Sequence, residues 1–62
     1  MDKEFFIAFL RWLDTASDQE LDQRQAQIRQ LLDEHRLNSP GPRKDAQWMI
    51  RKIEEERLVR LR

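Results

Sequence analysis

The chain has no cysteine, one histidine (His35), one glycine (Gly41) and two prolines (Pro40 and Pro42) among its 62 residues. The lack of cysteine excludes disulfides, thiolate metal sites and thiol catalysis together, and it suits a reducing cytoplasm. A single histidine cannot supply a histidine-rich zinc site. With one glycine there is no glycine-rich phosphate loop, and Pro40-Gly41-Pro42 removes amide donors instead of offering them. The only long apolar run, Phe5 to Leu13, is too short and too interrupted to span a bilayer. It follows Asp2-Lys3-Glu4 without a basic leader or a small-residue cleavage site, so the expectation is a soluble, cytoplasmic protein.

Catalysis is hard to assemble from what remains. Ser17 is engaged as a helix cap and lies far along the chain from His35, whose carboxylate neighbours Asp33 and Glu34 are ordinary surface groups. A hydrolytic triad needs a pocket that excludes water, which a short helical chain rarely builds. The reading is non-enzymatic, with no cofactor and no metal.

What the chain does have is concentrated at its start. All three phenylalanines and one of the two tryptophans fall between Phe5 and Leu13. On a helix, Phe5, Phe6, Phe9, Leu10, Trp12 and Leu13 sweep an arc of about 160°. That is wider than one neighbouring helix covers. Hydrophobic residues make up 39% of the chain and charged residues another 39%, so the core is short of material. Small chains in that position use disulfides, metals or oligomerisation, and only the last is open here. A homodimer is therefore expected.

Three helices account for nearly all of the sequence: 3–14, 18–37 and 42–61. Ser17-Asp18-Gln19-Glu20 is a capping-box sequence that starts the second. Its apolar stripe, Leu21, Ile28, Leu31 and Leu32, extended by His35 and the stem of Arg24, suits a seam against one neighbour. The glutamines at 19, 23, 25, 27 and 30 are assigned mostly to the wet face. Asn38 to Pro42 forms a stiff corner, with Pro42 at the first position of the third helix, and a short connection favours an antiparallel hairpin. In the third helix, Ala46, Met49, Ile50, Ile53 and Leu61 share a face, while Trp48 and Val59 fall nearly opposite with Lys52 and Glu55 between them. The fold class expected is all-α: a helical hairpin preceded by a short aromatic N-terminal helix and completed by homodimerisation.

The core and dimer residues expected are Phe5, Phe6, Phe9, Leu10 and Leu13, the Leu21/Ile28/Leu32 seam, and Ile50 and Ile53. Tryptophan and arginine carry much of the binding energy at interfaces. Trp12 and Trp48 are accordingly candidate partner anchors, the latter with Lys52 and Val59, although both also suit a core. Residues 1–38 carry a net charge of −3 and residues 39–62 a net charge of +3. Packing of one half on the other explains this without a partner. A basic tail for an anionic partner is the sharper reading.

In layout the chain resembles a known group. The aromatic segment Phe5 to Leu13, then Asp18-Gln19-Glu20-Leu21-Asp22-Gln23-Arg24, a proline-glycine corner, Arg43-Lys44-Asp45-Ala46 and an arginine-glutamate helix are together similar to the small quorum-sensing anti-activators of Pseudomonas temperate phages. That resemblance implies a compact helical dimer that binds a LuxR-type transcription regulator of the bacterial host and stops it working. It also implies possible engagement of the ATPase that drives type IV pilus assembly. No residue motif comes with it. The charge split suits it, and Asp14, Asp18, Asp22, Asp33 and Glu34 are then candidates for an acidic surface that covers the basic face of a regulator, beside the default of a solvated helix face.

The rival class is a small DNA-binding regulator that uses Arg43, Lys44, Arg51 and Lys52 at the start of the third helix. The proline-bracketed corner is unlike a helix-turn-helix turn, and Glu54, Glu55 and Glu56 would face phosphates, so nucleic acid is disfavoured. A membrane-surface role fails because the polar face of the first helix is short and mixed. A plain structural subunit of a larger assembly is the third alternative.

Overall fold

A computed structural model of the chain describes residues 3–34 and 39–61. It is all-α, with α1 over Lys3–Thr15, α2 over Asp18–Asp33 and α3 over Pro40–Arg60. The end of α1 is one residue beyond the expected Asp14: the Ala16 amide still donates to the Trp12 carbonyl at 2.8 Å, and the Thr15 hydroxyl points back to the carbonyls of Arg11 (3.4 Å) and Trp12 (3.3 Å). The capping box is formed in both directions. Ser17 Oγ accepts from the Glu20 amide at 3.1 Å, and the Ser17 amide donates to Glu20 Oε1 at 3.1 Å. The Ser17 backbone amide first, and then the Ser17 hydroxyl acting as a donor to the same carboxyl, hold Glu20 below its ordinary range.

The expected continuation of α2 to residue 37, and His35 with it, lies outside the described residues. Glu34 closes the described part, its amide donating to the Gln30 carbonyl at 2.9 Å. The start of α3 is a correction. It begins at Pro40, not Pro42, with Ser39 as N-cap in extended backbone (φ −80°, ψ 141°). The first helical positions have no partner for their amides, so both prolines fit the opening turn without losing a bond. The Arg43 amide makes the first described helical bond, to the Ser39 carbonyl at 3.2 Å.

The polypeptides of α2 and α3 run close together. Their cross-links fix the direction: Asp18 meets Arg60, Asp22 and Gln25 meet Arg57, and Gln25 and Arg29 meet Glu54. Rising numbers in α2 pair with falling numbers in α3, so the hairpin is antiparallel as the short corner predicts. Between them lie Leu21 and Ile53, both fully buried, with Ile28, Ala46 and Met49. Phe9 and Leu13 of α1 and Ala16 complete the core. Ala16 lies between α1 and α2, and its small side chain lets the chain turn against the core.

The dimer set divides. Phe9, Leu13, Leu21, Ile28 and Ile53 are buried within one chain, and Phe6, Leu32 and Ile50 are half-buried. Phe5 and Leu10 are instead 40% and 43% exposed, with Ile7 beside them at 41%. The seam expected to face a second subunit therefore faces α3. The hairpin and the returning α1 consume it before any partner can.

Candidate functional site

Placement of α1 decides what the third helix presents. Trp48 packs edge-on against Phe6 (ring centroids 4.8 Å apart) and tilted against Phe9 (5.6 Å). The expectation that Trp48 faces away from the core is corrected here. The helical wheel is right that Trp48 and Ala46 point in different directions, but α3 has two neighbours. One flank meets α2 and the other meets α1. Trp12 stacks on Phe9 at 5.6 Å on its other side and carries the Arg24 guanidinium 4.9 Å above its ring. Both tryptophans are half-buried, so each offers only an edge to a partner. Lys52 lies over Trp48 at 5.9 Å and binds Glu55 at 3.3 Å.

The acidic candidates Asp18 and Asp22 are exposed but already engaged. Asp18 accepts from Arg60 at 3.0 Å and Asp22 from Arg57 at 3.4 Å. The antiparallel hairpin places the acidic start of α2 beside the basic end of α3, which is the simpler of the two readings of the charge split. Glu34 accepts from Gln30 at 2.9 Å. Asp14 belongs to a different surface, described below.

Two residues were missed from the sequence. Gln25, assigned to the wet side, is 8% exposed; it donates to Glu54 at 3.2 Å and accepts from Arg57 at 2.8 Å. Its signal was present, since Leu21, Gln25 and Ile28 share a helical face, but a polar side chain does not register in a hydrophobic pattern. Arg60 is the other. Besides Asp18 it reaches Glu56 at 3.1 Å and the Leu13 carbonyl at 2.9 Å. Leu13 belongs to the last turn of α1, which contains no basic residue of its own and has carbonyls without intrahelical partners. Arg60 supplies that cation from 47 positions away. Asp18 and Glu56 raise its pKa further above the arginine range, so it remains charged.

Val59 and Leu10 bring the exposed apolar surface together. A groove of about 280 Å³ between α1 and α3 is lined by Leu10, Leu13 and Asp14 on one side and by Lys52, Glu55, Glu56 and Val59 on the other. Leu58, Val59 and Leu61 are 64%, 66% and 81% exposed at the end of α3. Among the described residues no group of three histidine, cysteine or acidic side chains is placed to hold a metal ion. No helix among them is long and apolar enough to cross a membrane. No protein-family model matches the chain, and no curated protein or solved structure is significantly similar to it.

Proposed function

We propose that this chain is a non-enzymatic binding module that inhibits another protein by occupying its surface. The observation that carries the reading is the apolar exposure on both sides of one groove, Leu10 on α1 and Val59 on α3, in a chain with little apolar material to spare. A small domain rarely leaves such side chains uncovered in groups without a partner for them. The resemblance to phage quorum-sensing anti-activators supplies the class of target, a LuxR-type transcription regulator acting in the bacterial cytoplasm, with the type IV pilus assembly ATPase as a second one. A homodimer belongs to this reading. Leu58 and Leu61, exposed on the last turns of α3, are the surface available to a second copy, because the expected seam is used internally.

The DNA-binding alternative is less well supported. Lys52, one of its four cations, is tied to Glu55 and to the face of Trp48. Co-expression with a LuxR-type regulator and its promoter reporter tests the proposal. Reporter output is expected to fall, and a complex that survives nuclease is expected on gel filtration. A complex that disappears with nuclease favours DNA binding, and unchanged reporter output with no complex removes the regulator as the target.

A further inference from the structure

The groove between α1 and α3 has a chemistry of its own. Its floor is aliphatic, from Leu10, Leu13 and Val59, and its rims are acidic, from Asp14 on α1 and Glu55 and Glu56 on α3. Lys52 is the one cation of the lining, so the lining residues carry a net charge of −2. Lys52 is bound to Glu55 at 3.3 Å and held against Trp48, and Arg60 takes Glu56 at 3.1 Å. Asp14 is therefore the one lining carboxylate without an ion-pair partner among the described residues, while the lining as a whole stays net negative.

We infer that this groove receives a cationic amphipathic helix from a different protein, with leucine-like anchors on the floor and lysine or arginine against the rims. The inference deepens the binding-module reading and rests on it. Three observations select this occupant. Both walls are helices, and among the described residues there is no strand edge to extend, so recognition falls to side chains in the helix-in-groove mode. The acidic rims repel nucleic acid and anionic lipid and attract a basic segment. At about 280 Å³ the groove lies just below the usual range for a small-molecule pocket and is open along its length.

A second copy of the chain does not match these requirements. Its own cationic apolar segment, Arg57 to Leu61, has its charges committed: Arg57 to Asp22 and Gln25, and Arg60 to Asp18, Glu56 and the Leu13 carbonyl. Freeing them would break the α2/α3 ladder and the seat of α1.

The test uses the full chain and a fluorescein-labelled leucine-lysine peptide of about 15 residues, amphipathic as a helix. Controls are a scrambled peptide of the same composition and a leucine-glutamate counterpart. The amphipathic cationic peptide is expected to bind about tenfold or more tightly than either control. Val59→Lys, at an exposed position where circular dichroism should be unchanged, should weaken it by about tenfold or more. Asp14→Asn with Glu55→Gln should weaken it less and reduce its dependence on salt. Equal binding of the three peptides, no binding of the cationic one, or an unchanged affinity in Val59→Lys overturns the inference. So does a dimer in sedimentation equilibrium that Val59→Lys dissociates, which would place a second copy in the groove. A regulator complex that Val59→Lys leaves intact refutes the groove alone. Peptide binding without any effect on a regulator refutes the named target alone.

Discussion

Between α2 and α3, aliphatic side chains meet beneath a ladder of charged and amide groups; against α1, the same α3 offers one tryptophan and one arginine. The two contacts depend on different physics. The hairpin brings its backbones close over Leu21, Ile28, Ala46, Met49 and Ile53, and its exposed ion pairs each add little. Their distances of 2.8–3.4 Å at successive turns serve instead to define register and direction. The seat of α1 has no such ladder. It relies on large rings, with Phe9 between Trp12 and Trp48 and Phe6 against Trp48, and on Arg60 closing the end of α1. A helix held by few large side chains leaves spaces along its edge, and the acidic groove is one of them.

The sharpest challenge to this contrast is Phe9→Ala. Phe9 is 5% exposed and central to the rings, so the change should cost about 3–5 kcal/mol in chemical denaturation. A single transition would make α1 part of one cooperative unit. Loss of near-ultraviolet signal at an unchanged helical midpoint would make it a separable arm on a self-sufficient hairpin. Ile53→Ala attacks the other region and should cost about 2–5 kcal/mol, lowering the denaturation midpoint for all three helices at once. Trp48→Ala tests the second flank of α3. Half-buried among Phe6 and Phe9, Trp48 should contribute about 2 kcal/mol, read as a lower midpoint. An unchanged midpoint would return Trp48 to the role of a free partner anchor.

Smaller effects refine the joint between the regions. Ser17→Ala removes the cap that starts α2 and should cost about 0.5–2 kcal/mol in thermal or chemical melts. The pH dependence has a definite sign. Because the folded Glu20 pKa lies below its ordinary value of 4.5, its contribution is fully present above that value. It is lost as pH falls through the folded pKa. Glu20→Gln should therefore flatten part of the decline in stability below about pH 4.5, measured by denaturation at several pH values. An identical decline in the variant would show that other carboxylates set the acid limit.

Much of the fold was legible because it is written in short-range pattern. Ser17 and Glu20 are three residues apart and Leu21 and Ile28 seven, so the cap and the seam could be read locally, whereas Pro40 to Pro42, read as a corner, form the first turn of α3. The site was less legible. The groove joins Leu10 to Val59, and neither position announces the other; Val59 was read as a partner residue opposite the core face of α3, and Leu10 was counted as core. Asp18 and Asp22 were counted as partner candidates because the arginines that take them are 35 or more positions away.

The sequence by itself determined three helices, the antiparallel return of the hairpin and which aliphatic face it buries, since helix capping and periodicity act within a turn or two of chain. Only the tertiary structure decided where α1 lies on α3. From that follow the half-burial of Trp48, the bond from Arg60 to the Leu13 carbonyl and the opening of an acidic groove. The physical reason is that an arginine's reach and a tryptophan's neighbours are set by distance in space, and hydrophobic periodicity carries no information about which of two apolar flanks a third helix will cover.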